Sequence, residues 1–186
     1  TATADNISEG KTAWVNGELI TGNGSDNVAY MEMGATITPL YNNGIFVDDA
    51  TLIGIAYYCY PSSETSYAIT PTFNEKDFKI SIGSGRNGGV YLNKLINFEE
   101  YTAVRFHVSA NSRNSYLYGA ILDDSQLKKI RYIPLYDGST DGNIYYYLDL
   151  QGVTGYGYVY IGINGGLSKS NSANIDKIEL IKINES

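Results

Sequence analysis

The sequence predicts an all-β fold, an antiparallel jelly-roll β-sandwich, preceded by a small N-terminal hairpin segment. Three observations predict it: short runs alternate apolar and polar residues with a period of two, turn residues punctuate those runs, and no long stretch carries helical periodicity. The composition agrees, since 18 tyrosines, 20 scattered glycines and a charged content of only 18% suit strands and turns. With 186 residues the chain can bury one full sandwich core and has no room for a second large domain.

The first element spans residues 1–40, which are rich in threonine and alanine. Within it Trp14-Val15-Asn16-Gly17-Glu18-Leu19-Ile20 places Asn-Gly between two apolar-containing runs, the signal of a type I′ hairpin turn. The sandwich is expected over residues 41–186. Its longest apolar run, Leu52 to Tyr60, sets Ile53, Ile55, Tyr57 and Cys59 on one strand face, where Cys59 reads as a small buried hydrophobe.

Alternation then recurs in Phe78, Ile80, Ile82 and in Val104, Phe106, Val108, the latter with Arg105, His107 and Ser109 on the polar face. Next come Ile144, Tyr146, Leu148, Leu150, then Val159, Ile161, Ile163, and a last strand from Ile175 to Ile183. Asn42-Asn43-Gly44, the run Gly83 to Gly89, Asp137 to Asn143 and Asn164-Gly165-Gly166 read as the intervening turns. Pro39, Pro61, Pro71 and Pro134 are expected near strand ends or edges, where a missing donor costs little. The spacing suggests roughly nine to eleven strands.

Charge and cysteine content exclude several classes. A formal charge of -7 opposes binding to nucleic acid, which needs a basic stripe. A single cysteine allows neither an intrachain disulfide nor a thiolate metal cluster. The apolar runs are too short for membrane insertion by a helix.

Catalytic chemistry is weakly represented. The one histidine, His107, has no nucleophile elbow beside it and is expected to be structural or on the surface. Asp48, Asp49, Glu64, Glu75, Asp77, Asp123, Asp124, Asp137 and Asp141 offer carboxylates, but solvated loop positions explain them better than a glycosidase pair. The chain therefore reads as a non-enzyme with no required cofactor. Asp137-x-Ser139-x-Asp141-Gly142 copies the opening of a calcium loop, yet Leu148 stands where the bidentate Glu belongs. An Asx-rich turn is the better reading, with a structural calcium on Asp137, Ser139 and Asp141 as the alternative, and Asp48-Asp49 as a weaker candidate of the same kind.

Tyrosine carries the functional signal. A phenol ring stacks on the C–H face of a sugar while its hydroxyl and nearby amides bond sugar hydroxyls. Three clusters combine these groups: Tyr57, Tyr58, Tyr60; Asn111, Arg113, Asn114 with Tyr116 and Tyr118; and Tyr156, Tyr158, Tyr160 leading to Asn164. The third would form a stripe on one sheet face, serving a glycan or an oligomer interface.

Residues 1–22, from Thr1-Ala2-Thr3-Ala4-Asp5-Asn6-Ile7 through Gly10-Lys11-Thr12-Ala13 to Val15-Asn16-Gly17 and Thr21-Gly22, resemble a segment common in bacteriophage tail-fibre and baseplate appendage proteins. Asp77 to Ile82, Phe98 to Phe106, Tyr147 to Gly155 and Ile175 to Leu180 resemble the galactose-binding-like sandwich modules that follow such segments. These are framework positions and lend no binding residue. The resemblance implies a receptor-binding protein on the virion tail, extracellular, which attaches a phage, prophage or tailocin to bacterial cell-surface or cell-wall carbohydrate. Its expected partners are that glycan and other copies of itself, as a trimer. Two alternatives remain open: a structural spacer or trimerisation module of a fibre, and a carbohydrate-binding module of a secreted glycoside hydrolase.

Overall fold

Alternating residues do become strands, and the order in which those strands pair defines the architecture. A computed structural model describes residues 12–15, 18–21, 34–57, 65–111, 116–134, 143–165 and 170–184. The chain forms two compact units, residues 1–37 with 181–186, and residues 38–180. In the first, β1 (Thr12–Val15) and β2 (Glu18–Thr21) pair antiparallel with Val15 opposite Glu18, the hairpin pairing that the sequence predicts. Elsewhere in that unit, the Asn184 N–H donates to the Gly34 carbonyl at 3.3 Å.

Two sheets make up the sandwich. Sheet A contains β5 (Leu52–Ile55), β6 (Thr65–Ala68), β9 (Arg86–Leu92), β10 (Ile96–Asn97), β12 (Tyr116–Asp123), β13 (Lys129–Pro134) and β15 (Tyr156–Asn164). Its main order is β13-β12-β15-β9-β5. Sheet B contains β3 (Ala35–Asn42), β4 (Ile45–Phe46), β7 (Thr72–Phe73), β8 (Phe78–Ile82), β11 (Ala103–Asn111), β14 (Ile144–Asp149) and β16 (Asn171–Ile183), in the main order β14-β11-β16-β3-β4, with β8 also on β16. β6 runs parallel to β9, whereas β5 on β9, β9 on β15, β12 on β15 and β8 on β16 are antiparallel.

The pairings nest. β8 pairs with β16, β9 with β15, β11 with β14, and β12 with β13. The chain behaves as one long hairpin whose two arms are rolled up together, with β11 beside β16 and β12 beside β15 closing each sheet. That winding is a jelly roll, the expected fold.

Between the sheets lies the main core. Sheet A contributes Val90, Leu92, Leu117, Ile121, Val159, Ile161 and Ile163, and sheet B contributes Phe78, Ile80, Val104, Phe106, Val108, Leu148, Ile175, Ile178 and Leu180. Burying each such side chain stabilises the fold by about 1.5–3 kcal/mol, against the entropy of ordering it. β8 keeps the expected alternation, with Phe78, Ile80 and Ile82 buried and Lys79 and Ser81 exposed.

Several expectations need correction. Arg105 and His107 do not lie on an open polar face, because both are buried, at 0% and 8% exposure. Glu179 of β16 meets the Arg105 guanidinium at 2.6 Å, and Asp176 meets His107 Nδ1 at 2.5 Å. The Tyr145 ring of β14 stacks near both, its centroid 4.3 Å from that of His107 and 4.9 Å from the Arg105 Cζ. The ion pair of Arg105 with Glu179, and the hydrogen-bonding contact of His107 with Asp176, make this burial tolerable. The run Gly83 to Gly89 is not all loop either, since β9 begins at Arg86. Pro39 sits inside β3 but on the edge of the sheet, since β4 pairs only with Tyr41 and Asn42 there, in keeping with the expectation of strand ends or edges. Sixteen strands occur among the described residues, because β4, β7 and β10 have two residues each and are too short to show alternation.

Candidate functional site: the tyrosine face of sheet A

Because one side of sheet A is committed to the core, the alternate residues of its strands line the outer side. The registers place them in rows. Asn87 of β9 lies opposite Asn164 of β15, and Asn164 opposite Tyr116 of β12. The next row holds Ile55, Gly89, Gly162 and Tyr118. The third holds Ile53, Tyr91, Tyr160 and Ala120, and beyond it Tyr158 faces Leu122 while Tyr156 faces Asn97 of β10. Tyr156, Tyr158 and Tyr160 therefore do run as a stripe along one strand.

Exposure along that stripe is graded. Tyr156 is 54% exposed, Tyr158 is half-buried and Tyr160 is 1% exposed. Tyr91 packs edge-on against Tyr158, ring centroids 5.4 Å apart, and Ile53 beside Tyr91 is 40% exposed. Tyr156, Tyr158, Tyr91 and Ile53 thus form a partly open, largely aromatic platform, while Tyr160 is covered.

Glycine makes the covered end feasible. The Tyr160 ring lies over Gly89 and Gly162, where an added Cβ would come within 2.5 Å of the ring at Gly89. Gly88 likewise admits the carbonyl of Tyr67 from β6. These are positions of close approach, which explains glycines inside a strand.

Tyr57 closes over this row. Its carbonyl accepts from the Tyr160 hydroxyl at 2.8 Å, and its own hydroxyl accepts from the Lys129 N–H of β13 at 3.0 Å. Its ring stands edge-on to Tyr160 at 6.2 Å, and with Ile55, Tyr91 and Leu127 it packs on Ala120, Leu122 and Tyr160. The β12–β13 turn that carries Leu127 is tied by Asp123. One Asp123 oxygen accepts from the N–H groups of Ser125 and Gln126 and the Ser125 hydroxyl, and the other accepts from the Lys128 N–H. The Gln126 N–H, then the Ser125 hydroxyl, draw the Asp123 pKa down from 3.8 to about 2. In the core, burial pushes the Tyr41 phenol up to about 12.

The residues expected at a site scatter relative to this face. Tyr57, Tyr118 and Asn164 all belong to it, although Tyr118 is only 5% exposed. Tyr116 occupies its place on β12 by backbone register. Asn111 lies elsewhere, at the end of β11 in sheet B, with its side-chain oxygen buried and unpartnered. Tyr58, Tyr60, Arg113, Asn114, Asp137, Ser139, Asp141 and Cys59 lie outside the described residues. Asp48 forms an ion pair with Lys94, and among the described residues no group of three or more His, Cys, Asp or Glu side chains could hold a metal. Sequence reasoning missed Tyr91 and Leu127. The Tyr91 signal was its place in the alternation Asn87, Gly89, Tyr91, hidden by reading those glycines as loop.

No family model and no curated protein matches the chain. Solved structures do. A family 29 carbohydrate-binding module complexed with cellulohexaose aligns with a TM-score of 0.53 and 14% identity over 79% of this chain and 91% of that one. A family 29 module complexed with mannohexaose gives 0.52 and 15% over 79% and 92%. At such identity the likeness concerns the fold: this chain shares the β-sandwich of those modules.

Proposed function

We propose that the chain is a non-catalytic carbohydrate-binding module that holds a neutral polysaccharide on the tyrosine face of sheet A. The single observation that carries this reading is the row of partly open rings, Tyr156, Tyr158 and Tyr91, on the outer side of a sandwich. Ring faces match the C–H faces of pyranoses, and phenol hydroxyls reach sugar hydroxyls. The shared fold with modules that bind cellulohexaose and mannohexaose supports it. The acidic surface, with its formal charge of -7, suits an uncharged ligand better than a polyanion.

Affinity electrophoresis through gels containing β-glucan or mannan tests the reading. Retardation is expected, and Tyr158→Ala should weaken binding by about 2 kcal/mol, roughly 30-fold in Kd, the loss typical of an aromatic anchor. Unretarded migration in every neutral polysaccharide would refute it.

The narrower reading is attachment of a phage tail to a bacterial surface glycan from the virion, as a trimer. Its support is the N-terminal segment, whose β1–β2 hairpin lies inside the tail-fibre-like residues 1–22. Several weak sites on one particle would then add by multivalency. A trimeric assembly should pull down host cells and lose them when free glycan competes; a monomer with no cell binding would argue for the secreted-hydrolase context instead. A spacer whose whole tyrosine stripe is shared between copies is disfavoured, because Tyr160 is already covered within its own chain.

A further inference from the structure

The geometry points to Tyr57 as the residue that limits how long a glycan the tyrosine face accepts, an inference that rests on the glycan-binding reading above. Tyr57 follows β5, at one edge of sheet A, yet it bonds to the centre and to the far edge. Its carbonyl is held by Tyr160 of the central strand β15, and its hydroxyl by the backbone of Lys129 in β13. The residue thus spans the outer face crosswise to the tyrosine stripe.

Exposure differs beneath that crossing and around it. Where Tyr57 and Leu127 pack, Tyr160, Ala120 and Leu122 are all at or below 1% exposure, although they lie on the outer surface of the sheet. Beside them, Tyr158, paired with Leu122, and Tyr91, paired with Tyr160, are half-buried, and Tyr156 and Ile53 are open. Same-face residues on a strand stand ~7 Å apart, so the open portion supports roughly two to three pyranose rings. The ring that would extend the platform, Tyr160, is the one that Tyr57 covers. Contact with a further sugar requires Tyr57 to leave.

Two hydrogen bonds and one edge-on ring contact hold Tyr57, and each hydrogen bond can be removed separately. Titration calorimetry with cello- and manno-oligosaccharides, from disaccharide to hexasaccharide, reads the consequence. For the wild type, affinity is expected to rise up to the trisaccharide and then level off. In Tyr57→Ala the rise should continue, with a hexasaccharide gain of about fivefold and little change for the disaccharide. Tyr160→Phe and Tyr57→Phe each remove one hydrogen bond while keeping both rings, so a smaller gain is expected from them even if the alanine variant fails to fold. An unbroken rise in the wild type, or an equal loss at every length in the folded variants, would overturn the inference while leaving glycan binding intact. Absence of wild-type binding at every length and to the parent polymers would overturn both.

Discussion

Tyr160 shows how one side chain constrains its neighbours. Its ring can lie against the sheet only because Gly89 and Gly162 have no Cβ, and its hydroxyl then reaches the Tyr57 carbonyl. Gly89→Ala would place a methyl 2.5 Å from that ring, so the ring or the strand must shift. A loss of about 1–3 kcal/mol is expected from such overpacking, measurable as a lowered urea midpoint with an unchanged slope. Alternation alone made the Tyr156, Tyr158, Tyr160 stripe legible, but not its graded exposure, which depends on Tyr57, 103 positions before Tyr160. The same holds for Arg105 and His107. Their placement opposite Val104, Phe106 and Val108 was readable, whereas burial follows from Glu179, Asp176 and Tyr145 on other strands. No local pattern announces partners so distant in sequence.

At the level of elements, the β12–β13 turn gains its shape from a single carboxylate. The folded Asp123 pKa of about 2 lies below the ordinary 3.8, so its bonds stabilise the turn above pH ~4 and that contribution is lost as pH falls towards 2. Amide exchange of Ser125, Gln126 and Lys128 should therefore accelerate between pH ~4 and ~2, relative to reference sites in β15 and after correction for intrinsic rates. Asp123→Asn should exchange faster already at neutral pH and lose most of that pH dependence. An unchanged acid profile in the variant would show that the carboxylate is not what holds the turn. Long strands such as β8 and β15 were legible because one face meets the core along their whole length. β9 was masked by its own glycines, which serve packing and not turning. In β16 the inward residues pass from Ala173 and Ile175 to Ile178 and Leu180, a change of phase that a strict period of two cannot follow.

For the molecule as a whole, the jelly roll was the most legible property, since it needs only many short strands and frequent turns. The nesting was not legible. β8 and β16 pair although Phe78 and Ile175 are 97 positions apart (175 − 78), and such partners are chosen by the assembled core. The proposed chemistry, stacking on tyrosine, was suggested by the sequence, while the candidate face required both sheets to be in place. Tyrosine also separates the two compact units optically. Every tyrosine but Tyr30 falls within residues 38–180, whereas the one tryptophan, Trp14, is on β1. Selective excitation of the indole thus reports on the hairpin, and ultraviolet difference absorbance of the phenols reports on the sandwich, so an unlabelled sample carries a separate spectroscopic reporter for each unit.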